Sequence, residues 1–274
     1  MGGKRVVTAI ALIPFLYLLV RYLPPLFFFL FVVIVVFIGQ YEYYRFYYRE
    51  FNKYTILGFF LGFLTLLTFD KDFNFLVARD AVLSMVVLIS LIGFLFLKAN
   101  PKDTLPGVSV ILFGVFYISW TLGHLIPLRN QLNGENLIFF ILIATWGVDT
   151  GAYYFGKLFG RHKLSPVISP GKTVEGAIGG VISCIGFAFL ARWLFLRELT
   201  INNTILIGLI FGVISQLGDL TESMLKRSAG VKDSGSLLPA HGGMLDRIDS
   251  IIFTIPVFYY YIRYFVPEIT FLPV

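Results

Sequence analysis

Long apolar runs recur along the chain, and each is closed by a short cluster of polar residues, glycine or proline. Nine of them read as helices crossing a membrane, at roughly 6–22, 26–42, 54–69, 80–98, 106–127, 136–155, 174–196, 204–223 and 248–265. A hydrocarbon core of about 30 Å takes about 20 residues at 1.5 Å each, so apolar runs of about 17–25 residues read as spans. The pattern predicts an all-α, polytopic integral membrane protein with about nine transmembrane helices, folded as a single membrane domain over residues 1–274. No internal repeat, soluble domain or low-complexity linker interrupts it. The first run follows a basic start, MGGKR, as a secretion signal would. No small-x-small cleavage site comes after it, so a retained first helix is expected.

Composition agrees. The chain is 57% hydrophobic and 18% aromatic, with 14% charged residues, against about 25% in a soluble domain. Cys184 is the one cysteine, which excludes a disulfide framework and a thiolate metal site. The net charge of +6 reads as cationic loops on one side of a membrane, not as a nucleic-acid surface. Alternate loops hold 15 Lys and Arg residues and the others hold 7. That asymmetry predicts a cytoplasmic N-terminus. The two loops richest in polar chemistry, 156–173 and 224–247, then fall on the cytoplasmic face, where nucleotides are found.

Six of the 16 acidic residues lie at the cytoplasmic ends of the last four spans: Asp149, Glu175, Asp219, Glu222, Asp246 and Asp249. Ionisable groups in or near a bilayer are costly and mark functional sites. None of these is near a predicted midplane, which argues for a site at the interface and against an ion pathway. Asp219, Glu222 and Lys226 follow helical spacing and share one face, as do Asp246 and Asp249 at the start of the last span. Two helices would each present a carboxylate pair at one depth, a hard-oxygen set suited to Mg2+. The alternative is that these acids only pair with Lys226, Arg227 and Arg247. Lys226, Arg227, Lys232 and Arg247 alternate with carboxylates and glycines and form no basic block. Phosphate clamping is therefore expected of them ahead of snorkelling or headgroup binding.

The loop segment KLSPVISPGKTVEG, residues 163–176, contains GKT. A P-loop needs a glycine five positions before Gly171, whereas Pro166 stands there and no strand precedes it. What remains is a Pro/Gly-shaped turn placing Ser169, Lys172 and Thr173 before a helix whose free N–H groups favour an anion. An ordinary capped helix start, with Glu175 in its first turn, is the alternative. His241, in HGG, reads as a base, a metal ligand or a loop hydrogen-bonder. With His124 and His162 the only other histidines, a multi-histidine site is not expected.

Residues 223–249, SMLKRSAGVKDSGSLLPAHGGMLDRID, resemble the signature of the CDP-diacylglycerol synthases, or phosphatidate cytidylyltransferases. The specified positions are met by Ser223, Lys226, Arg227, Lys232, Asp233, Gly235, Pro239, His241, Gly242, Gly243, Asp246, Arg247 and Asp249. Residues 149–176 resemble the family's second characteristic stretch. The resemblance covers the C-terminal half, and the first hundred or so residues match only in being apolar helices.

The resemblance implies that CTP and phosphatidic acid give CDP-diacylglycerol and pyrophosphate, with Mg2+ required and room for a second cation. It also implies a homodimer embedded in membrane lipids, a multi-pass protein of the cell membrane whose site faces the cytoplasm. On this reading Asp219, Glu222, Asp246 and Asp249 bind metal, and Lys226, Arg227, Asp246 and Asp249 form the catalytic set. Ser169, Lys172, Ser223, Lys232, His241, Arg247, Asp149 and Glu175 hold substrate. Helices over 136–265 form the site, and 1–128 carries no assigned role. The nucleophile is a phosphate oxygen already ionised near neutral pH, so no serine–histidine pair is required.

Three alternatives stand beside it. CDP-alcohol phosphotransferases carry an Asp-Gly start, and no Asp-Gly pair occurs in the chain. A CTP-dependent polyprenol or lipid kinase is nearer, but the full signature favours cytidylyl transfer. A secondary transporter predicts inverted repeats and helices broken at the midplane, and neither is present. The small-residue stretch GAIGGVISCIG, 176–186, is expected to mark close helix packing within the subunit or across a dimer.

Overall fold

The computed structural model describes residues 13–71, 78–97, 99–235 and 242–269. The chain is helical at 13–21 (α1), then at Pro25–Tyr48 (α2), Lys53–Leu67 (α3), Arg79–Phe96 (α4), Pro101–Arg129 (α5), Gly134–Phe159 (α6), Val174–Phe195 (α7), Ile201–Ser228 (α8) and Leu245–Phe265 (α9). A two-stranded antiparallel hairpin lies between α6 and α7. Its strands are β1 (Lys163–Ser165) and β2 (Ser169–Thr173), with Lys163 opposite Thr173 and Ser165 opposite Ser169.

The architecture is all-α and polytopic, as the hydrophobic pattern predicts. Among the described residues six helices, α2 and α4 to α8, are long and apolar enough to cross a membrane. The 15 residues of α3 reach about 22 Å, short of an upright crossing. The 21-residue α9 carries Asp246, Arg247 and Asp249 in its opening turns. The expected first span lies partly outside the described residues. Two compact units divide the chain: Met1–Pro127 with Asp233–Leu245, and Leu128–Lys232 with Asp246–Val274.

In the first unit, α2 begins at Pro25, where a missing N–H is no loss. It ends at Arg49, whose φ of 60° turns the chain. Asn52 caps α3 by accepting the N–H groups of Tyr54 and Thr55, each at 3.0 Å. Buried tyrosine hydroxyls need partners. Tyr44 Oη donates to Ile111 O at 3.3 Å and Tyr48 Oη to Gly107 O at 3.4 Å. These carbonyls sit on α5 between Pro106 and the π-helical turn Val115–Trp120. Leu26, Ile34, Leu88 and Leu95 are exposed on the outer faces, as lipid-facing side chains must be.

In the second unit glycines let helices approach closely. A Cβ on Gly179 would land on the Phe155 ring, and one on Gly212 would meet Val181 Cα at 2.8 Å. The small-residue stretch 176–186 therefore packs α7 against α6 and α8 of its own chain. Phe140, Phe211 and Phe258 close the core from α6, α8 and α9, with centroids 5.5 and 5.3 Å apart. Cys184 is buried there as a thiol.

Candidate active site

At the polar ends of α6, α8 and α9, all within the second unit, lies a cavity of about 560 Å³, a size typical of small-molecule sites. Asp149, Tyr153 and Lys157 reach it from α6, and Leu164, Lys172 and Thr173 from the hairpin. Gln216 and Asp219 come from α8, and Arg247 from α9.

Charge is concentrated on one side of this cavity. Lys172 Nζ lies 2.6 Å from Asp219 Oδ2. The Asp149 carboxylate is repelled by Asp219 and attracted by Lys172 and Arg247. Asp249, whose Oδ1 accepts the Ser250 N–H at 2.6 Å, is repelled by both Asp219 and Asp149. Gly218 makes this crowding possible, because a Cβ there would stand 2.6 Å from the Asp249 carbonyl oxygen. Three carboxylates and two cations thus converge from four elements.

Lys226 forms the centre of a second cluster. Its ammonium lies 2.6 Å from Asp246 Oδ1 and pairs with Glu222 one turn earlier on α8. Glu222 is fully buried, and a carboxylate removed from water is tolerated only with such a partner. The expected pair Asp219 and Glu222 is therefore divided: Asp219 faces the cavity with Lys172, and Glu222 faces the interior with Lys226. Ser223 Oγ stands 3.5 Å from Asp219 Oδ1.

Among the described residues no three His, Cys, Asp or Glu side chains are grouped as a ready-made metal cage. Mg2+, however, is commonly held by one or two carboxylates completed by substrate phosphates. Asp219, 31% exposed at the cavity, and its neighbour Asp249 have that donor chemistry.

The hairpin is fastened at both ends. Glu175 accepts the N–H groups of Arg161 at 3.0 Å and His162 at 3.2 Å, and pairs with His162 Nδ1 at 2.6 Å. Thr173 caps α7 by accepting the Gly176 N–H at 3.1 Å. Arg227 donates Nε to Ile168 O at 3.2 Å and Nη1 to Val231 O at 3.0 Å, tying the hairpin tip to the end of α8.

Of the residues singled out from the sequence, Asp149, Lys172, Asp219 and Arg247 line the cavity. Asp249 stands beside them, and Lys226, Glu222 and Asp246 form the adjoining ion cluster. Arg227 and Glu175 hold the hairpin. Ser169 lies in β2 opposite Ser165, and Lys232 is exposed; neither lines the cavity. His241 and Pro239 lie outside the described residues. Sequence reading passed over Tyr153, Lys157 and Gln216. The last carried a signal, since Gln216, Asp219, Ser223 and Lys226 follow one helical stripe. Gln216 Nε2 donates to Ala177 O at 3.0 Å and to Gly212 O at 2.6 Å, joining α8 to α7 beside the cavity.

The chain has relatives among known proteins. The chain is 43% identical over 190 residues to the uncharacterized protein YnbB of Escherichia coli, covering 65% of the chain and 63% of that protein. It is 40% identical over 163 residues to a phosphatidate cytidylyltransferase of Bacillus subtilis, covering 59% and 61%. It is 46% identical over 148 residues to a phosphatidate cytidylyltransferase of Staphylococcus aureus, covering 53% and 55%. The chain therefore spans less than two thirds of the length of these relatives. The family model of the cytidylyltransferases matches residues 3–265, and the chain belongs to the cytidylyltransferase family.

Proposed function

We propose that this protein transfers the cytidylyl group of CTP to phosphatidic acid, forming CDP-diacylglycerol and releasing pyrophosphate. The observation that carries this reading is the cavity where Asp149 and Asp219 meet Lys172 and Arg247 at the polar ends of membrane helices. One substrate is a soluble triphosphate and the other is anchored in a leaflet, so a site at the end of a helix bundle suits both. The names of the Bacillus subtilis and Staphylococcus aureus relatives support the same reading. The charge asymmetry of the loops supports a multi-pass cell-membrane protein with this site facing the cytoplasm.

An ionised phosphate oxygen of phosphatidic acid attacks the α-phosphorus of CTP. A new P–O bond forms, the bond to the β-phosphate oxygen breaks, and pyrophosphate leaves. Because the nucleophile is already charged, the obstacle is repulsion between two polyanions. Lys157, Lys172 and Arg247 supply positive charge at the cavity wall to offset it. Asp219 pairs with Lys172 at the cavity before substrate arrives, and Asp149 attracts both Lys172 and Arg247. Asp219 and Asp249 are the residues that would hold Mg2+ with substrate phosphates, and bound Mg2+ would offset charge developing on the leaving pyrophosphate. The acyl chains of the lipid lie against exposed apolar side chains such as Ile178, Ile182, Val213 and Leu217 on α7 and α8.

The test is to supply purified protein with phosphatidic acid, Mg2+ and CTP labelled at either the α- or the γ-phosphate. Lipid-phase label from α alone is expected. Label from γ alone would make the protein a lipid kinase, and label from neither would end the transferase reading.

A further inference from the structure

Glu42 belongs to α2, outside the cavity and outside both sequence stretches that carry the chemistry. It is 3% exposed. Its carboxylate nevertheless gathers the two ends of the 233–245 segment within the first unit. Oε2 accepts from Ser234 Oγ at 2.9 Å and from the Leu245 N–H at 2.8 Å, and Oε1 accepts from the Met244 N–H at 2.9 Å. The fit leaves no room. A Cβ on Gly235 would meet Glu42 Oε1 at 2.5 Å, and one on Gly243 would meet Glu42 Oε2 at 2.6 Å. Gly235 and Gly243 are thus shaped around this carboxylate.

Leu245 is the first residue of α9. Helix N-termini leave N–H groups without intrahelical partners, and a negative charge there is favoured by the helix dipole. Glu42 does for α9, from more than 200 residues away in sequence, what an N-cap side chain usually does locally. The first turns of that helix carry Asp246, Arg247 and Asp249.

We infer that Glu42 is a positioning residue: by accepting the Met244 and Leu245 N–H groups it orders the first turn of α9, the turn that leads into Asp246, Arg247 and Asp249. This inference rests on the cytidylyl-transfer reading for its consequence in turnover, but not for its consequence in local order. A carboxylate accepting several N–H and O–H donors cannot be replaced by an amide, because the amide NH2 would face donors. Glu42→Gln keeps the size of the side chain and removes this ability. Ser234→Ala removes one of the bonds and leaves the charge.

The test uses the full-length protein in detergent, with two readouts on wild type, Glu42→Gln, Ser234→Ala and the double variant. In Glu42→Gln, turnover per folded molecule should fall about tenfold or more, as expected for displaced reacting groups. The apparent KM for CTP should rise as well, because Arg247 lines the cavity and Asp249 stands beside it. Amide exchange should accelerate at 244–249 and stay unchanged in α7. Ser234→Ala should give the smaller effect, and the double variant should be no worse than Glu42→Gln because both act on one contact. Unchanged local exchange, acceleration spread over every helix, or turnover within about twofold of wild type would each overturn the inference. If wild type transfers no cytidylyl group while exchange in Glu42→Gln still rises at 244–249, the positioning role stands and the proposed reaction falls.

Discussion

Lys226 on α8 holds Asp246 on α9 at 2.6 Å while it pairs with Glu222 on its own helix. One ammonium thus serves two carboxylates, one of them without any exposure to solvent. Such a cluster is held less by net Coulomb gain than by the penalty for leaving a buried charge alone. It joins the helix that carries Asp219 to the helix that carries Asp249, and so sets the spacing of the cavity wall.

Lys226→Met should therefore cost about 3–5 kcal/mol, the usual result of removing one partner of a buried ion pair. Adding Glu222→Gln to Lys226→Met should recover part of that loss, because the orphaned charge goes with it. Thermal unfolding of the two variants in detergent checks this. A Lys226→Met protein as stable as wild type would mean that the cluster is not closed in the folded state.

Lys172 and Asp219 behave differently. Their side chains keep 26% and 31% of their exposure, although Lys172 Nζ itself is covered, and an ion pair at such a partly exposed site contributes about 1 kcal/mol. Lys172→Ala should therefore barely move the unfolding temperature. If the lysine transfers to a substrate phosphate, the lost charge-assisted bond is worth about 1.5–3 kcal/mol, or about 10- to 100-fold in kcat/KM. Steady-state kinetics with CTP, beside a melting curve, separates the two effects. An unaltered kcat/KM would remove Lys172 from the substrate-binding set.

Much of this site was legible because ionisable residues are conspicuous in apolar runs. Asp149, Asp219, Asp246 and Asp249 announce themselves in that way. Their pairing did not. Residues three apart on a helix diverge by about 60° around its axis, enough to send Asp219 to the cavity and Glu222 to the interior. The hairpin was hidden for another reason. SPGKT has the proline and glycine of a turn and little strand propensity, and its strand exists because Glu175 and Arg227 fasten both ends. Glu42 stood in plain sight as an acid in an aromatic helix, but its partners are 192 to 203 residues away. No local spacing could have named them.

Glu175 should matter more than the histidine it touches. Glu175→Ala leaves the N–H groups of Arg161 and His162 without their acceptor, whereas His162→Ala removes only a ring contact. The ring is largely exposed, with 78% of its side-chain surface open, so its loss is solvated. Amide exchange across 161–173 should rise clearly in Glu175→Ala and little in His162→Ala. Equal responses would show that the ring contact, and not the backbone pair, holds the hairpin entry.

Arg227 offers the most direct choice between two roles for a signature cation. A phosphate clamp acts largely through charge, so Arg227→Lys would be tolerated. A clasp on two carbonyls needs the planar fork, because Nε reaches Ile168 O while Nη1 reaches Val231 O. A lysine cannot span both. The observed geometry predicts that Arg227→Lys loosens the hairpin, raising amide exchange over 163–173. It also predicts a higher apparent KM for CTP, because Leu164, Lys172 and Thr173 line the cavity from that hairpin. Arg227→Lys with wild-type exchange and wild-type KM would assign this residue to charge alone, and the clasp would then be incidental.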